Sequence, residues 1–325
     1  MMCRRKHALF LSVYLLFATL ISLGACARSP FPAGVSRVGL VNTPCHLQGI
    51  SWCPDGIHIA VGVGEGGVEF APQGDIYLLN VSDREFVPLT EIEETGFNSF
   101  PTCSPDGEQV AFESLALSPN GIWTVDTSNS SSPQFIADGA YPAWSPKKQR
   151  LAFVRHEGKY GNWTDTISIL DLETGNITEV FTESAERISL DGLAWSPDSG
   201  QLAFSLGTAP LTQHVLNETN IYVLDLEEDE LLQLTSGGRN NHPSWSPDGR
   251  LIAYMTGPTY SVETLVIARA DGTCPVRPLE VYGLNWTAWS PDGTQIAFTW
   301  ERGIYVMDIA TVLGPDFLTT DSPCP

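Results

Sequence analysis

Asn98, Asp138, Asp191, Asn241, His242 and Asn285 each stand three to six residues ahead of a recurring apolar slot. Polar side chains of this kind, brought together at one mouth, could hold Ca²⁺, which prefers several oxygen ligands. The same residue types also bond turn backbone and trapped water, so the pattern equally fits a solvated mouth without metal. A second group, Phe70, Tyr160, Trp163 and Tyr260, places aromatic rings in segments that read as long connections. Long connections on a rigid scaffold are where binding is usually carried, although such rings can also cover the scaffold's own edges.

Nucleophilic catalysis finds little to work with, and no residue is assigned as catalytic. The chain has no Gly-x-Ser-x-Gly elbow. His46, His58, His156, His214 and His242 show no paired ligand spacing, and a hydrogen-bonded surface or turn histidine accounts for each. Gly62-Val63-Gly64-Glu65-Gly66-Gly67 has a Glu and no Lys, so it reads as a flexible connection and not a phosphate loop.

What must position these residues is a repeat. An apolar-Ala-apolar triplet falls eight residues after a fixed slot six times: Trp52 to Ala60, Cys103 to Ala111, Trp144 to Ala152, Trp195 to Ala203, Trp245 to Ala253 and Trp289 to Ala297. Successive slots are 51, 41, 51, 50 and 44 residues apart, the range of one four-stranded propeller blade. After each slot comes a turn, as in Pro54-Asp55-Gly56, Pro105-Asp106-Gly107, Pro247-Asp248-Gly249 and Pro291-Asp292-Gly293. Proline presets φ at the first corner, Asp bonds nearby amides, and Gly accepts a positive φ. Cys103 replaces Trp in the second unit, and Pro146-Lys147-Lys148 replaces the turn in the third.

The second strand of each unit, such as Leu202-Ala203-Phe204, has three apolar residues in a row, which means that both sheet faces are covered. A third strand follows, as in Ile221-Tyr222-Val223-Leu224, and then a weaker fourth: Phe86 to Thr90, Leu231 to Thr235, Val276 to Leu279. Pro88 and Pro278 fall in these fourth strands, which places them at outer edges, where a missing amide is tolerated. The expected architecture is all-β, a six-bladed propeller of four-stranded antiparallel blades over residues 36–325. The segments Gly62 to Gly74, Arg155 to Asp165, Leu206 to Asn220 and Thr256 to Glu263 are expected to be long loops on its working face. The six polar residues are expected in the inter-blade loops that ring the channel mouth. Both Arg37–Val41 and Phe317–Thr320 read as outer strands, which offers seven for six blades. A Cys45–Cys324 disulfide joining the ends fits either closure.

Trp245-Ser246-Pro247-Asp248-Gly249 and Trp289-Ser290-Pro291-Asp292-Gly293 match in full, and Trp144-Ser145-Pro146 and Trp195-Ser196-Pro197-Asp198 in part, the W-S-P-D-G turn that precedes an apolar-Ala-Phe strand. On these residues the chain resembles the TolB-like, WD-repeat-like propeller family. The resemblance implies the propeller fold and, by itself, a role in linking envelope layers. It assigns no catalytic residue, because similar propellers serve as docking proteins and as peptidase lids.

The first 25 residues read as an export signal, with Arg4, Arg5 and Lys6 before the apolar stretch Ala8 to Leu23. Leu23-Gly24-Ala25-Cys26 resembles the bacterial lipobox, which implies lipidation at Cys26 and a short tether over residues 26–35. An uncleaved membrane anchor is the alternative. Seventeen basic residues less the three in the signal leave 14 against 38 acidic groups, a balance of −24, which argues against nucleic acid and anionic headgroups as partners. Cys45, Cys53, Cys103, Cys274 and Cys324 read as structural or free.

The expectation is a monomeric, exported protein, lipid-anchored to the cell membrane or outer membrane. Its propeller would be a non-catalytic scaffold for an envelope protein, peptide or glycan. The alternative is a metal-assisted, lactonase- or glycosidase-like hydrolase at the channel mouth.

Overall fold

The computed structural model describes residues 30–40, 45–65, 73–90, 96–128, 132–147, 149–159, 161–209, 218–258, 263–279, 281–315 and 317. The chain divides into two compact units, residues 1–32 and 33–325, and all the described strands lie in the second. That unit opens with β1 (Val35–Leu40), and the strands after it fall into six successive groups of antiparallel neighbours, of which the first and second join into one eight-stranded sheet through a short parallel pairing, Gln73↔Gly96 and Gly74↔Phe97. The first is β2 (Cys45–Trp52), β3 (His58–Glu65), β4 (Gln73–Asn80) and β5 (Phe86–Pro88). The second is β6 (Gly96–Cys103), β7 (Gln109–Ser114), β8 (Gly121–Asp126) and β9 (Gln134–Ala137). The third is β10 (Ala140–Trp144), β11 (Arg150–Lys159), β12 (Asn162–Asp171) and β13 (Ile177–Ala185). β14 (Arg187–Trp195), β15 (Gln201–Ala209), β16 (Asn220–Asp225) and β17 (Glu230–Gln233) make the fourth, and β18 (Arg239–Trp245), β19 (Leu251–Gly257) and β20 (Thr264–Arg269) the fifth. The sixth is β21 (Leu284–Trp289), β22 (Gln295–Trp300) and β23 (Gly303–Asp308).

The turns after the slots are held by a repeated clasp. Ser104, Ser196, Ser246 and Ser290 each donate from Oγ to the Asp two residues on, at 2.6 Å. Each hydroxyl oxygen also accepts the backbone N–H five residues on, at 2.9 Å, which closes the hairpin from inside. The serine hydroxyl, more than any other cause, holds Asp106, Asp198 and Asp292 below the usual carboxylate range. In the first group Cys53 occupies the serine position, and it is disulfide-bonded to Cys103, whose place in the next group is the tryptophan slot. Cys274 is also disulfide-bonded. The Cys45–Cys324 pairing lies outside the described residues.

Beyond the clasp each second strand runs through the core. Ala60, Ala111, Ala152, Ala203, Ala253 and Ala297 are all fully buried, as are Phe112, Phe153, Phe204 and Phe298. Apolar clusters sit between neighbouring groups: first with second, second with third, third with fourth, fourth with fifth, and sixth with first. The first strands touch in the same cyclic order, β2 to β6, β10, β14, β18 and β21, and β21 returns to β2. The alanine is small because the adjoining sheet presses on it, and a larger side chain there would cost roughly 1–3 kcal/mol.

One choice that the sequence leaves open is made by strand pairing, and two expectations need correction. β1 pairs antiparallel with β23, so the N-terminal strand takes the outer place of the sixth group, and after β23 the chain enters a short helix, α1 (Ile309–Leu313). Phe317 stands in a turn, and the rest of that expected strand lies outside the described residues. In the fifth group the expected outer strand is reduced to a bridge between Ile267 and Val276, with Pro275 and Pro278 unable to donate to a ladder. Arg155 to Asp165 is not a loop: β11 and β12 stay paired from Arg155↔Thr166 to Lys159↔Asn162, and Gly158, at a φ of 120°, is held inside the ladder opposite Trp163.

Candidate functional site

The polar residues expected in inter-blade loops stand in the first strands themselves: Asn98 in β6, Asp191 in β14, Asn241 and His242 in β18, Asn285 in β21. Only the exposed Asp138 falls between strands, after β9. The connections are shortest from β9 to β10 and from β13 to β14, where the outer strand leads almost directly into the next inner one.

Each first strand bends at one point. Its pairing with the second strand slips in every group, between Leu47 and Ile50, Ser99 and Thr102, Ala140 and Ala143, Asp191 and Ala194, Asn241 and Ser244, and Asn285 and Thr287. The residue three before the slot has a positive φ all six times: Gly49 (95°), Phe100 (52°), Tyr141 (52°), Gly192 (65°), His242 (55°) and Trp286 (44°). A bulge of this kind re-aims the side chain of the bent strand.

Four of these six residues carry rings, and the rings meet. His242 lies 3.8 Å from Trp286, Trp286 5.3 Å from Phe100, and Phe100 4.4 Å from Tyr141, centroid to centroid. Trp286 belongs to the sixth group and Phe100 to the second, so they meet across the first, where Gly49 has no side chain. A Cβ at Gly49 would stand 2.8 Å from Phe100 Cα, closer than such atoms pack. Trp286 Nε1 donates to Leu47 O at 3.0 Å, tying sixth group to first. The result is an aromatic partition across the ring of first strands.

On the slot side of the partition is a cavity of about 200 Å³ to which all six groups contribute. Ser51, Thr102, Ser244 and Thr287 line it with hydroxyls, and Trp144 and Trp195 with indole rings. Thr287 is buried, and its Oγ1 has no partner. Such a space suits one side chain or one ring of a ligand, held by aromatic faces and hydroxyls.

The other side of the partition, toward the start of the first strands, is ionic. His156 in β11 pairs with Asp165 in β12, Nδ1 to Oδ1 at 2.8 Å, and its ring stands edge-on to Tyr141 at 6.1 Å. Burial opposes the charge on His156, but Asp165, helped by Glu113 and Asp191, raises its pKa on balance. Burial pushes Glu113 up to about 7, against the Tyr141 backbone N–H that it accepts. Burial likewise pushes Glu263 up to about 7, against Arg239 and Asn241, whose Nδ2 donates to Glu263 Oε1 at 3.0 Å. Asp191 is raised by burial, against Ser189, Ser205 and Arg239. Burial drops His242 to about 3, with Arg239 nearby adding to the effect, so it stacks on Trp286 as the neutral ring.

The remaining candidates are placed as follows. Asn98 is fully buried and donates from Nδ2 to Thr90 Oγ1 at 3.1 Å, which donates to Asp75 at 2.8 Å. Asn240 makes the corresponding joint with Asn220. Asn285 turns its Oδ1 to the Trp286 N–H. Trp163 lies exposed on β12 opposite Gly158 and Ala185, away from the partition residues. Cys26, Phe70, Tyr160, Tyr260 and Cys324, and the side chain of Cys45, lie outside the described residues. Of the ten binding candidates, Asp191, Asn241, His242 and Asn285 border the partition. Among the described residues no three His, Cys, Asp or Glu side chains are grouped as metal ligands, and no helix is long and apolar enough to cross a membrane.

Sequence reasoning missed Phe100, Tyr141 and Trp286, together with Glu113, Asp165, Arg239 and Glu263; His156 is the exposed, hydrogen-bonded histidine it expected, and His242, a candidate for the mouth, proves to be stacked on Trp286. The signal for the rings was present: aligned on the slot, the third position before it reads Gly, Phe, Tyr, Gly, His, Trp, and Pro101, Pro142 and Pro243 follow three of them. No single residue type repeats there, so the position is visible only once the register is fixed.

Comparison with known proteins agrees with this architecture. Residues 139–266 match the family model described as TolB beta propeller domain. An uncharacterised protein of Agrobacterium fabrum is 28% identical over 183 residues, 54% of this chain and 59% of that protein, so the chain spans less than two thirds of that relative's length. Among solved structures, the putative TolB from Agrobacterium tumefaciens superposes with a TM-score of 0.60 at 17% identity, covering 82% of this chain and 91% of that one. The oligogalacturonate lyase from Vibrio parahaemolyticus superposes at 0.55 with 15% identity, covering 85% and 93%.

Proposed function

We propose that this chain, which carries a TolB-like β-propeller domain, is a six-bladed propeller of four-stranded blades that works outside the cytoplasm as a docking scaffold for a protein or peptide. The cyclic order of first strands and intersheet clusters supports the blade count. The observation that carries the docking reading is the cavity floored by Phe100, Tyr141, His242 and Trp286, to which every blade contributes the same positions. Aromatic rings and hydroxyls in a concave, pre-formed space are what a partner's inserted side chain needs. The export signal, the Cys26 lipobox and the Cys53–Cys103 disulfide support an envelope location with a lipid anchor.

A photo-crosslinking residue at Ser244 or Thr102, in intact cells, tests this. Capture of a discrete protein there, and none from the outer-strand position Leu232, is the expected result. Equal capture at both positions would remove the case for a channel site.

A second reading, a hydrolase at the channel mouth, draws on one observation: Asp165 orients His156 with Glu113 near it, the arrangement of a general base with a raised-pKa carboxyl group. Turnover of a lactone or glycoside that disappears in H156A would favour it over docking alone.

A further inference from the structure

We infer that the aromatic cavity is a subsite for one uncharged carboxamide side chain, asparagine or glutamine, carried by the docked partner. The inference rests on the docking reading and names the chemistry of the group that the cavity seats.

The cavity wall has two unlike sides. Ser244, Thr287, Ser51 and Thr102 come from the fifth, sixth, first and second groups, which are successive neighbours around the ring, so their hydroxyls form one continuous arc. The third and fourth groups complete the circle with Ala143, Trp144, Ala194 and Trp195. Trp195 Nε1 is committed to Ala143 O at 3.0 Å, which leaves that side mainly apolar.

The hydroxyl arc has hydrogen-bonding capacity left over. Ser51 Oγ accepts the Cys103 N–H and Ser244 Oγ the Trp289 N–H, both at 3.4 Å, so each hydroxyl proton is still to be given. Thr287 is 8% exposed, and its Oγ1 has no partner. Trp144 Nε1, on the neighbouring third group, and His242 Nδ1, in the floor, are unpartnered as well. The indole nitrogen is a donor, and the neutral imidazole nitrogen donates or accepts according to tautomer.

Among the described residues that line the cavity none is Asp, Glu, Lys or Arg, in a chain with 38 acidic and 17 basic residues. A charged group seated there would be buried without a counter-charge, which is costly. A carboxylate could only accept and an ammonium only donate, whereas this wall offers partners for both. A carboxamide does both, and its flat face can lie on the apolar side. A wholly apolar side chain would leave the buried hydroxyls unsatisfied. The space of about 200 Å³ is larger than an engineered cavity of about 150 Å³ that takes benzene, so one such side chain fits.

The test titrates the tryptophan fluorescence of the full chain in detergent with three end-blocked tripeptides, Gly-Gln-Gly, Gly-Glu-Gly and Gly-Met-Gly. The glutamine peptide is expected to bind about tenfold more tightly than either of the others. In S51A/S244A that advantage is expected to vanish while the methionine peptide binds as before, which shows that the cavity is intact. T287V serves as an independent variant should the double variant not fold. Equal affinity for the glutamine and methionine peptides, tighter binding of the glutamate peptide, or no binding of the glutamine peptide overturns the inference. In each of those cases, capture of a discrete protein by the Thr102 crosslinker in intact cells leaves the docking reading standing, and its absence removes that reading too.

Discussion

The ring of His242 lies 3.8 Å from the ring of Trp286, each at the same position of neighbouring units and each with a positive φ. Histidine tolerates that backbone region but the bulky tryptophan does not favour it, so packing must hold Trp286 there. Their contact, extended through Phe100 to Tyr141, divides the channel into an aromatic cavity and an ionic mouth.

Removing Trp286 should therefore do more than delete one ring. W286A loses the stack on His242, the contact with Phe100 and the hydrogen bond to Leu47 O that joins the last unit to the first. A loss of about 2 kcal/mol in denaturant unfolding is expected for a half-buried indole that also gives up a hydrogen bond. A loss under about 0.5 kcal/mol, the size of an ordinary surface change, would show that the partition does not hold the ring of sheets together.

Gly49 and Gly56 both have positive φ, at 95° and 68°. Only at Gly49 would a Cβ collide, with Phe100 Cα at 2.8 Å, whereas nothing lies within 4 Å of one at Gly56. G56A should cost about 1 kcal/mol from backbone strain alone, and G49A clearly more. Matched denaturation midpoints for the two variants would contradict the close approach.

Glu113 and Glu263 titrate at about 7 in the fold against 4.5 as the ordinary value. Between those values the folded chain holds protons that the unfolded chain has released, so stability falls as pH rises from about 4.5 to about 7. The raised His156 acts in the same direction, its contribution being lost as pH rises through its folded value. The clasp aspartates Asp106, Asp198 and Asp292 act oppositely, and their contribution is lost only as pH falls below the usual carboxylate range. His242, dropped to about 3 by burial, also acts oppositely: it adds stability as pH rises from about 3 to about 6.5 and offsets part of the loss from the two glutamates. Melting should thus peak in mildly acid buffer, and E113Q/E263Q should remove the decline above it. A wild-type curve that rises from about pH 5 to pH 8 is the outcome that cannot be reconciled with these burials.

The Cys53–Cys103 disulfide closes a loop over a sequence separation of 50 and ties the first unit to the second. In the chain-entropy model such a crosslink stabilises by about 4 kcal/mol. C53A/C103A is expected to lower the unfolding free energy by an amount of that order, and an unchanged midpoint would mean that the thiols are not bridged.

Much of the scaffold was legible in the chain itself. The tryptophan slot, the Pro-Asp-Gly turn and the buried alanine are set by short-range causes, namely φ preferences, hydroxyl-to-carboxylate clasps and the need for a small residue where sheets press together, and these leave marks at fixed spacing. The site was legible only in part. Asp191, Asn241, His242 and Asn285 were found because they stand close before the slot, but they were assigned to loops, since a bulge inside a strand leaves no compositional trace. Glu113, Arg239 and Glu263 were invisible for a different reason. Each is an ordinary charged residue until strands from several units bury it against the others, and burial is a property of the assembled ring. The closure was likewise undecided by sequence, because Arg37–Val41 and Phe317–Thr320 carry equally good strand patterns. Only the tertiary structure chose β1, where the ladder from Val35↔Met307 to Leu40↔Gly303 supplies the hydrogen bonds that the edge of β23 requires.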